Sequence, residues 1–96
     1  MEEVIYIVYG ITDCPWCLRA CADLMEHDKE YVFVQTDFSK SFRKRLMREK
    51  GWRSFPIVVE VPFDSEAPFT LGQRLIGGST ELKDHLVALT ECGNGV

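Results

Sequence analysis

The sequence has no apolar run long enough to cross a bilayer. Its first, Val4 to Tyr9, is six residues long and follows the acidic Met1-Glu2-Glu3, which also fails as a secretion signal. A cytoplasmic location and no membrane association are therefore expected. Internal repeats and low-complexity tracts are absent too, and with 46% hydrophobic and 27% charged residues the 96-residue chain reads as one domain, 1–96. Metal ligands are scarce. Outside one Cys-x-x-Cys, only Cys21, Cys92, His27 and His85 are left, scattered, so the second close-spaced pair of a structural zinc site is missing and no metal is expected. Seven of the eleven Lys and Arg fall between Lys40 and Arg53, yet no aromatic residues interleave with them in a nucleic-acid-binding motif. With a net charge of −4, binding to nucleic acid is not expected. The cluster is either a basic surface that attracts anions or a solvated helix face.

What the chain does have is Cys14-Pro15-Trp16-Cys17, directly after a strand-like run and at the start of a helical pattern. In a reducing compartment such a pair is catalytic more often than structural. A helix N-terminus offers unpaired N–H groups and the positive end of its dipole, both of which favour a thiolate in the first cysteine. Cys14 is thus the candidate nucleophile. Cys17, one turn further in, lies within reach to resolve a mixed disulfide formed at Cys14.

The hydrophobic pattern predicts the element order βαβαββα. Residues 4 to 9 do not alternate and read as a central strand, ended by Gly10. Thr12 or Asp13 can cap the next helix, whose inward stripe is expected at Leu18, Cys21, Leu24 and Met25. Tyr31 to Val34 reads as a second strand, parallel to the first. A helix over 41–50 turns Phe42, Leu46 and Met47 inward and stops at Gly51. Pro56 opens a strand, a further strand centres on Leu75 and Ile76, and a last helix runs from Ser79 or Thr80 to Thr90 with Leu82, Leu86 and Leu89 inside. The tail after Thr90 is expected to fray.

With these landmarks in order, the sequence resembles a small dithiol glutaredoxin of the thioredoxin superfamily. Cys14-Pro15-Trp16-Cys17 stands for the usual Cys-Pro-Tyr-Cys, Ser54-Phe55-Pro56 for Thr-Val-Pro, and Ile76-Gly77-Gly78-Ser79-Thr80-Glu81 for the glycine-pair motif. The resemblance implies an α/β, thioredoxin-like fold with a four-stranded mixed sheet flanked by three helices, and a cis peptide before Pro56. It implies glutathione as co-substrate, with no permanently bound cofactor, and a monomer that reduces protein disulfides or glutathione mixed disulfides. Ribonucleotide reductase is an acceptor the family offers. The backbone of Phe55 would pair with the cysteine part of glutathione. Gly77 and Gly78 would allow close approach, the N–H groups of Ser79 and Thr80 would hold the γ-glutamyl carboxylate, and Glu81 would accept its amine. Arg53 would pair with the glycine carboxylate, and Trp16 would form a wall.

Rival readings are a glutaredoxin-like donor reduced by thioredoxin reductase, which Gly51-Trp52 favours slightly, and a glutathione-ligated iron–sulfur carrier, against which Pro15 argues. A catalytically idle interaction module is a further one. Two departures from the family stand out. Ile11 replaces the Lys common three residues before the nucleophile, and Asp13 adjoins Cys14, which removes one support for the thiolate. Twenty residues, Ile57 to Ile76, separate Pro56 from the glycine pair, and the segment 62–73, with Phe63 and Phe69, is expected to cover the sheet edge or contact a partner. Cys21 is expected to be a small core residue or a secondary redox group, and Cys92 an exposed thiol.

Overall fold

The computed structural model describes residues 4–62 and 72–94, with side chains through Thr90. Four strands and three helices alternate as β1 (Val4–Gly10), α1 (Pro15–Glu26), β2 (Tyr31–Gln35), α2 (Lys40–Lys50), β3 (Ile57–Pro62), β4 (Arg74–Gly77) and α3 (Ser79–Asn94). The strands form one mixed sheet in the order β2-β1-β3-β4. β1 pairs parallel with β2 and antiparallel with β3, and β3 pairs antiparallel with β4 across an irregularity at Val58/Val59. This is the expected thioredoxin-like architecture.

Alternation along the strands divides the core in two. Tyr6, Val8 and Val58 face Ala20 and Leu24 of α1 and Leu82 and Leu86 of α3. Ile7, Tyr9, Ile57, Val59 and Val61 face the opposite side, where α2 contributes Leu46. Each large aliphatic side chain buried in this way contributes about 1.5–3 kcal/mol. α2 starts on Ser39, whose hydroxyl accepts the Phe42 N–H at 3.2 Å, and ends at Gly51, left-handed at φ 64°.

Several expected core positions turn outward. On α1 the buried residues are Cys17, Ala20, Asp23 and Leu24, whereas Leu18 and Met25 are 69% and 62% exposed. The inward stripe thus runs through Cys17, about one residue away from the one expected, because tucking Cys17 under the sheet rotates Leu18 and Met25 to the far side. Cys21 is half-buried rather than a full core residue, and burial, outweighing a hydrogen bond to Tyr31, pushes its thiol up. Phe42 lies half-exposed against Tyr9, and Leu89 is exposed where α3 runs beyond Leu86 and the sheet beneath it. α3 itself continues to Asn94, past the expected end at Thr90. The expectations for Phe63, Phe69 and the rest of 63–71, and for the Cys92 side chain, lie outside the described residues.

One carboxylate is buried mid-strand. Glu60 pairs in register with Tyr6, accepts the Tyr6 hydroxyl proton at Oε2 over 2.9 Å, lies 3.2 Å from His85 Nε2, and is bridged by Arg74. Burial alone pushes a carboxyl up, but the Tyr6 hydroxyl, Arg74 and His85 together hold Glu60 below its ordinary range. A depressed folded-state value means the stabilisation is present above the unfolded carboxyl range and disappears as pH falls through the folded value. Chemical denaturation followed by circular dichroism should therefore show Tyr6→Phe destabilised by about 2 kcal/mol at neutral pH. The loss should shrink as the medium is acidified below about pH 4, near the unfolded Glu value.

Candidate active site

The register of the sheet brings three separated segments to one edge. Tyr9 of β1 lies opposite Ile57, so the chain leaving β1 at Gly10 passes beside Pro56. Val58 lies opposite Gly77, so the glycine pair arrives next to the same proline. The Phe55–Pro56 peptide is cis, as expected from the resemblance.

Between Gly10 and α1 the chain folds so that the first cysteine, and neither Thr12 nor Asp13, caps the helix. Cys14 is extended (φ −115°, ψ 95°), and its sulfur accepts the Cys17 N–H at 3.2 Å. Asp13 takes the left-handed conformation, φ 54°, and leaves the cap. Thr12 is engaged elsewhere, its N–H donating to Asp37 Oδ2 at 3.0 Å and its hydroxyl accepting from Gln35. These contacts of Thr12 hold the Asp37 carboxyl below its ordinary range. Cys14 and Cys17 are joined as a disulfide, with Cα atoms 5.2 Å apart. Cys14 is half-buried and Cys17 only 1% exposed, so an external sulfur reaches Cys14 first. In the reduced pair the same N-cap hydrogen bond falls to a thiolate more strongly than to a thiol.

A cleft of about 370 Å³ lies beside this pair. Its walls are Trp16 on α1, Ser54, Phe55 and Pro56 before β3, and Gly78, Ser79, Thr80 and Glu81 where α3 begins. Two expected members do not line it. Arg53 is exposed, and Gly77 is buried behind the wall at φ 130°, where an added Cβ would sit 2.7 Å from the Cβ of Glu81. Trp52, unassigned by the sequence patterns, lines the cleft as well, and its buried indole N–H has no hydrogen-bond partner among the described residues. In the sequence it figures only in the Gly51-Trp52 pair, directly before Arg53. Gly78 is the N-cap of α3: its carbonyl accepts the Leu82 N–H at 2.9 Å, while its own N–H donates to Glu81 Oε1 at 2.9 Å, which is half of a capping box.

The glutaredoxin family model matches residues 4–61, more than half of the 96-residue chain. The chain belongs to the glutaredoxin family. The matched span holds the cysteine pair and the cis-proline, while Gly77 to Glu81 lie beyond it. No curated protein matches the chain. Among solved structures, it is similar to a glutaredoxin from Brucella melitensis, with 20% identity, coverage of 98% of this chain and 87% of that one, and a TM-score of 0.59. Reduced apo GrxS14 from poplar gives 15% identity, 91% and 72% coverage and a TM-score of 0.60. Glutathione transferase Omega 2S from Trametes versicolor gives 22%, 93% and 37% coverage, and 0.60. At these identities the likeness is one of fold. Family and cysteine pair together make this glutaredoxin a thiol-disulfide oxidoreductase. Among the described residues no cluster of three metal-ligating side chains occurs, and no helix is long and apolar enough to cross a membrane.

Gly77→Ala should damage the site through the fold. The new methyl would meet both Glu81 and Trp52 at a φ that L-residues rarely adopt, so a loss of about 1–3 kcal/mol in denaturant unfolding is expected, with α3 displaced at its start.

Proposed function

We propose that this glutaredoxin takes its electrons from glutathione and reduces protein disulfides and glutathione mixed disulfides through Cys14 and Cys17. The observation that carries this reading is the cleft beside the disulfide, where the cis-proline segment and the start of α3 face Trp16 across a space of tripeptide size. The backbone of Phe55 supports strand-like pairing with the cysteine part of glutathione. The N–H groups of Ser79 and Thr80, in the first turn of α3, suit its γ-glutamyl carboxylate, and Glu81 its amine. Arg53, exposed next to Ser54, suits the glycine carboxylate. Trp52 adds an indole N–H, without a partner among the described residues, beside Gly78.

In the proposed reaction the Cys14 thiolate attacks the glutathione sulfur of a mixed disulfide. The Cys14–glutathione bond forms as the protein thiolate departs. A second glutathione thiolate then attacks that sulfur, releasing glutathione disulfide and restoring Cys14. For a protein disulfide, Cys14 forms the mixed disulfide with the protein, Cys17 displaces the protein's second thiol, and two glutathiones reduce the resulting Cys14–Cys17 bond. Ribonucleotide reductase is a protein acceptor worth testing in this role.

NADPH oxidation coupled separately through glutathione reductase and through thioredoxin reductase tests the electron source: turnover with glutathione alone is expected, and turnover with thioredoxin reductase alone would overturn the reading. In the glutathione assay Cys14→Ser should be inactive, because serine at neutral pH is not a thiolate. Cys17→Ser should keep deglutathionylation and lose protein-disulfide reduction. The chain's two tryptophans, Trp16 and Trp52, both line the cleft. Titrating glutathione should therefore change the intrinsic fluorescence saturably, and Trp52→Phe should remove part of the change.

A further inference from the structure

Besides flanking the tryptophan cleft, Cys14 and Cys17 floor a second hollow, of about 310 Å³, on the side of α1 toward β2. Ile11, Leu18 and Phe33 form its apolar walls, and among the described residues Asp13 is the only charged one lining it. Leu18 is 69% exposed and Phe33 39% exposed, the latter on β2, which ends the sheet's strand order. Single exposed apolar residues need no explanation, but two of them, with the half-buried Ile11, around a reactive disulfide make a continuous patch. Behind the patch, Asp37 binds the Thr12 N–H through Oδ2, while its buried Oδ1 has no hydrogen-bond partner among the described residues. The hollow is thus largely apolar and negative, with no cation lining it among the described residues.

We propose that this hollow docks the disulfide-bearing protein substrate, taking a segment that carries a bulky apolar side chain and a Lys or Arg beside the attacked cysteine. Charge complementarity selects that occupant. Glutathione, with two carboxylates and one ammonium, is repelled by Asp13 and Asp37 and has no apolar side chain for Leu18 and Phe33. A cationic, apolar segment gains on both counts. The inference rests on Cys14 and Cys17 being the redox pair but is independent of which reductant serves them. In the step concerned, the Cys14 thiolate forms a bond to one sulfur of the substrate disulfide as that disulfide breaks. Cys17 then attacks Cys14, so the protein ends as the disulfide and the substrate as a dithiol, with two electrons transferred.

Single-turnover kinetics test this with protein reduced beforehand by dithiothreitol and freed of it. The probes are bis(2-hydroxyethyl) disulfide and three cyclic disulfide peptides that differ only beside one cysteine: Leu-Lys, Leu-Glu and Ser-Lys. The Leu-Lys peptide should react roughly tenfold faster than the Leu-Glu peptide at low salt, and the advantage should shrink by about 0.5 M salt. Leu18→Ser should lower the rate ratio of the Leu-Lys peptide to the small disulfide by about fivefold, in line with a lost apolar contact. In that variant the advantage of Leu-Lys over Ser-Lys should also disappear. Asp13→Asn, an exchange the left-handed backbone tolerates, should flatten the Lys-to-Glu preference. Normal reaction with the small disulfide but unchanged peptide ratios in both variants would overturn the docking inference alone. Concentration-dependent dimerisation that Leu18→Ser abolishes would overturn it too, by assigning the hollow to a second copy of the chain. Failure of reduced wild-type protein to react with the small disulfide would remove the redox reading together with the docking.

Discussion

The pairing of β3 with both of its neighbours is the constraint on which the site depends. Ile57 opposite Tyr9 and Val58 opposite Gly77 place the end of β1, the cis-proline and the start of α3 side by side, although they lie about twenty to seventy residues apart in the chain. A strand shifted by one residue would invert every side chain between the two faces. Ile57, Val59 and Val61 would then exchange places with Val58 and Glu60, and a carboxylate would face the α2 side with no partner. Hydrophobic alternation and the buried charge therefore enforce one register, and that register assembles the site as a consequence.

Glu60 shows how the constraint is maintained against its electrostatic cost. An unpaired carboxylate at such a depth would be strongly destabilising. Tyr6 comes from β1, Arg74 from β4 and His85 from α3, so the three elements around β3 each supply a partner. The Tyr6 hydroxyl is held protonated, its ionisation pushed far up by burial and by the adjacent carboxylate. Such a network rewards only the arrangement in which every member is satisfied. It ties β4 and α3, which carry the glycine pair and the cap of the last helix, to the strand that carries the cis-proline.

Most of the architecture was legible in the sequence because strand and helix periods differ and the punctuating Gly and Pro residues are well placed. The non-alternating run 4–9, the helix over 41–50 ended by Gly51 and the order of seven elements follow from those signals alone. What was not legible was helix rotation. Periodicity marks Leu18, Cys21, Leu24 and Met25 as one stripe, but the choice between that stripe and the one through Cys17, Ala20 and Leu24 depends on the sheet beneath. The N-cap was missed for a related reason: Thr12 is a better capping residue by type than cysteine, but Asp37 and Gln35, more than twenty residues away, had already claimed it. Trp52 entered the cleft through the turn after Gly51, where no periodic pattern reports direction.

The displaced cap bears directly on reactivity. Glutaredoxins commonly place a lysine three residues before the nucleophile, and here Ile11 occupies that place with Asp13 beside Cys14. A thiolate at Cys14 therefore relies on backbone: the Cys17 N–H that its sulfur accepts and the positive end of α1. Backbone donors act at short range and bring no cation into solution around the sulfur, so they favour the thiolate without attracting anionic substrates to it. Exchanging a side-chain cation for an N-cap sulfur thus separates two functions that one lysine would combine. On the proposed mechanism, nucleophile activation stays with the helix, and the charge of the surrounding surface is free to select the partner.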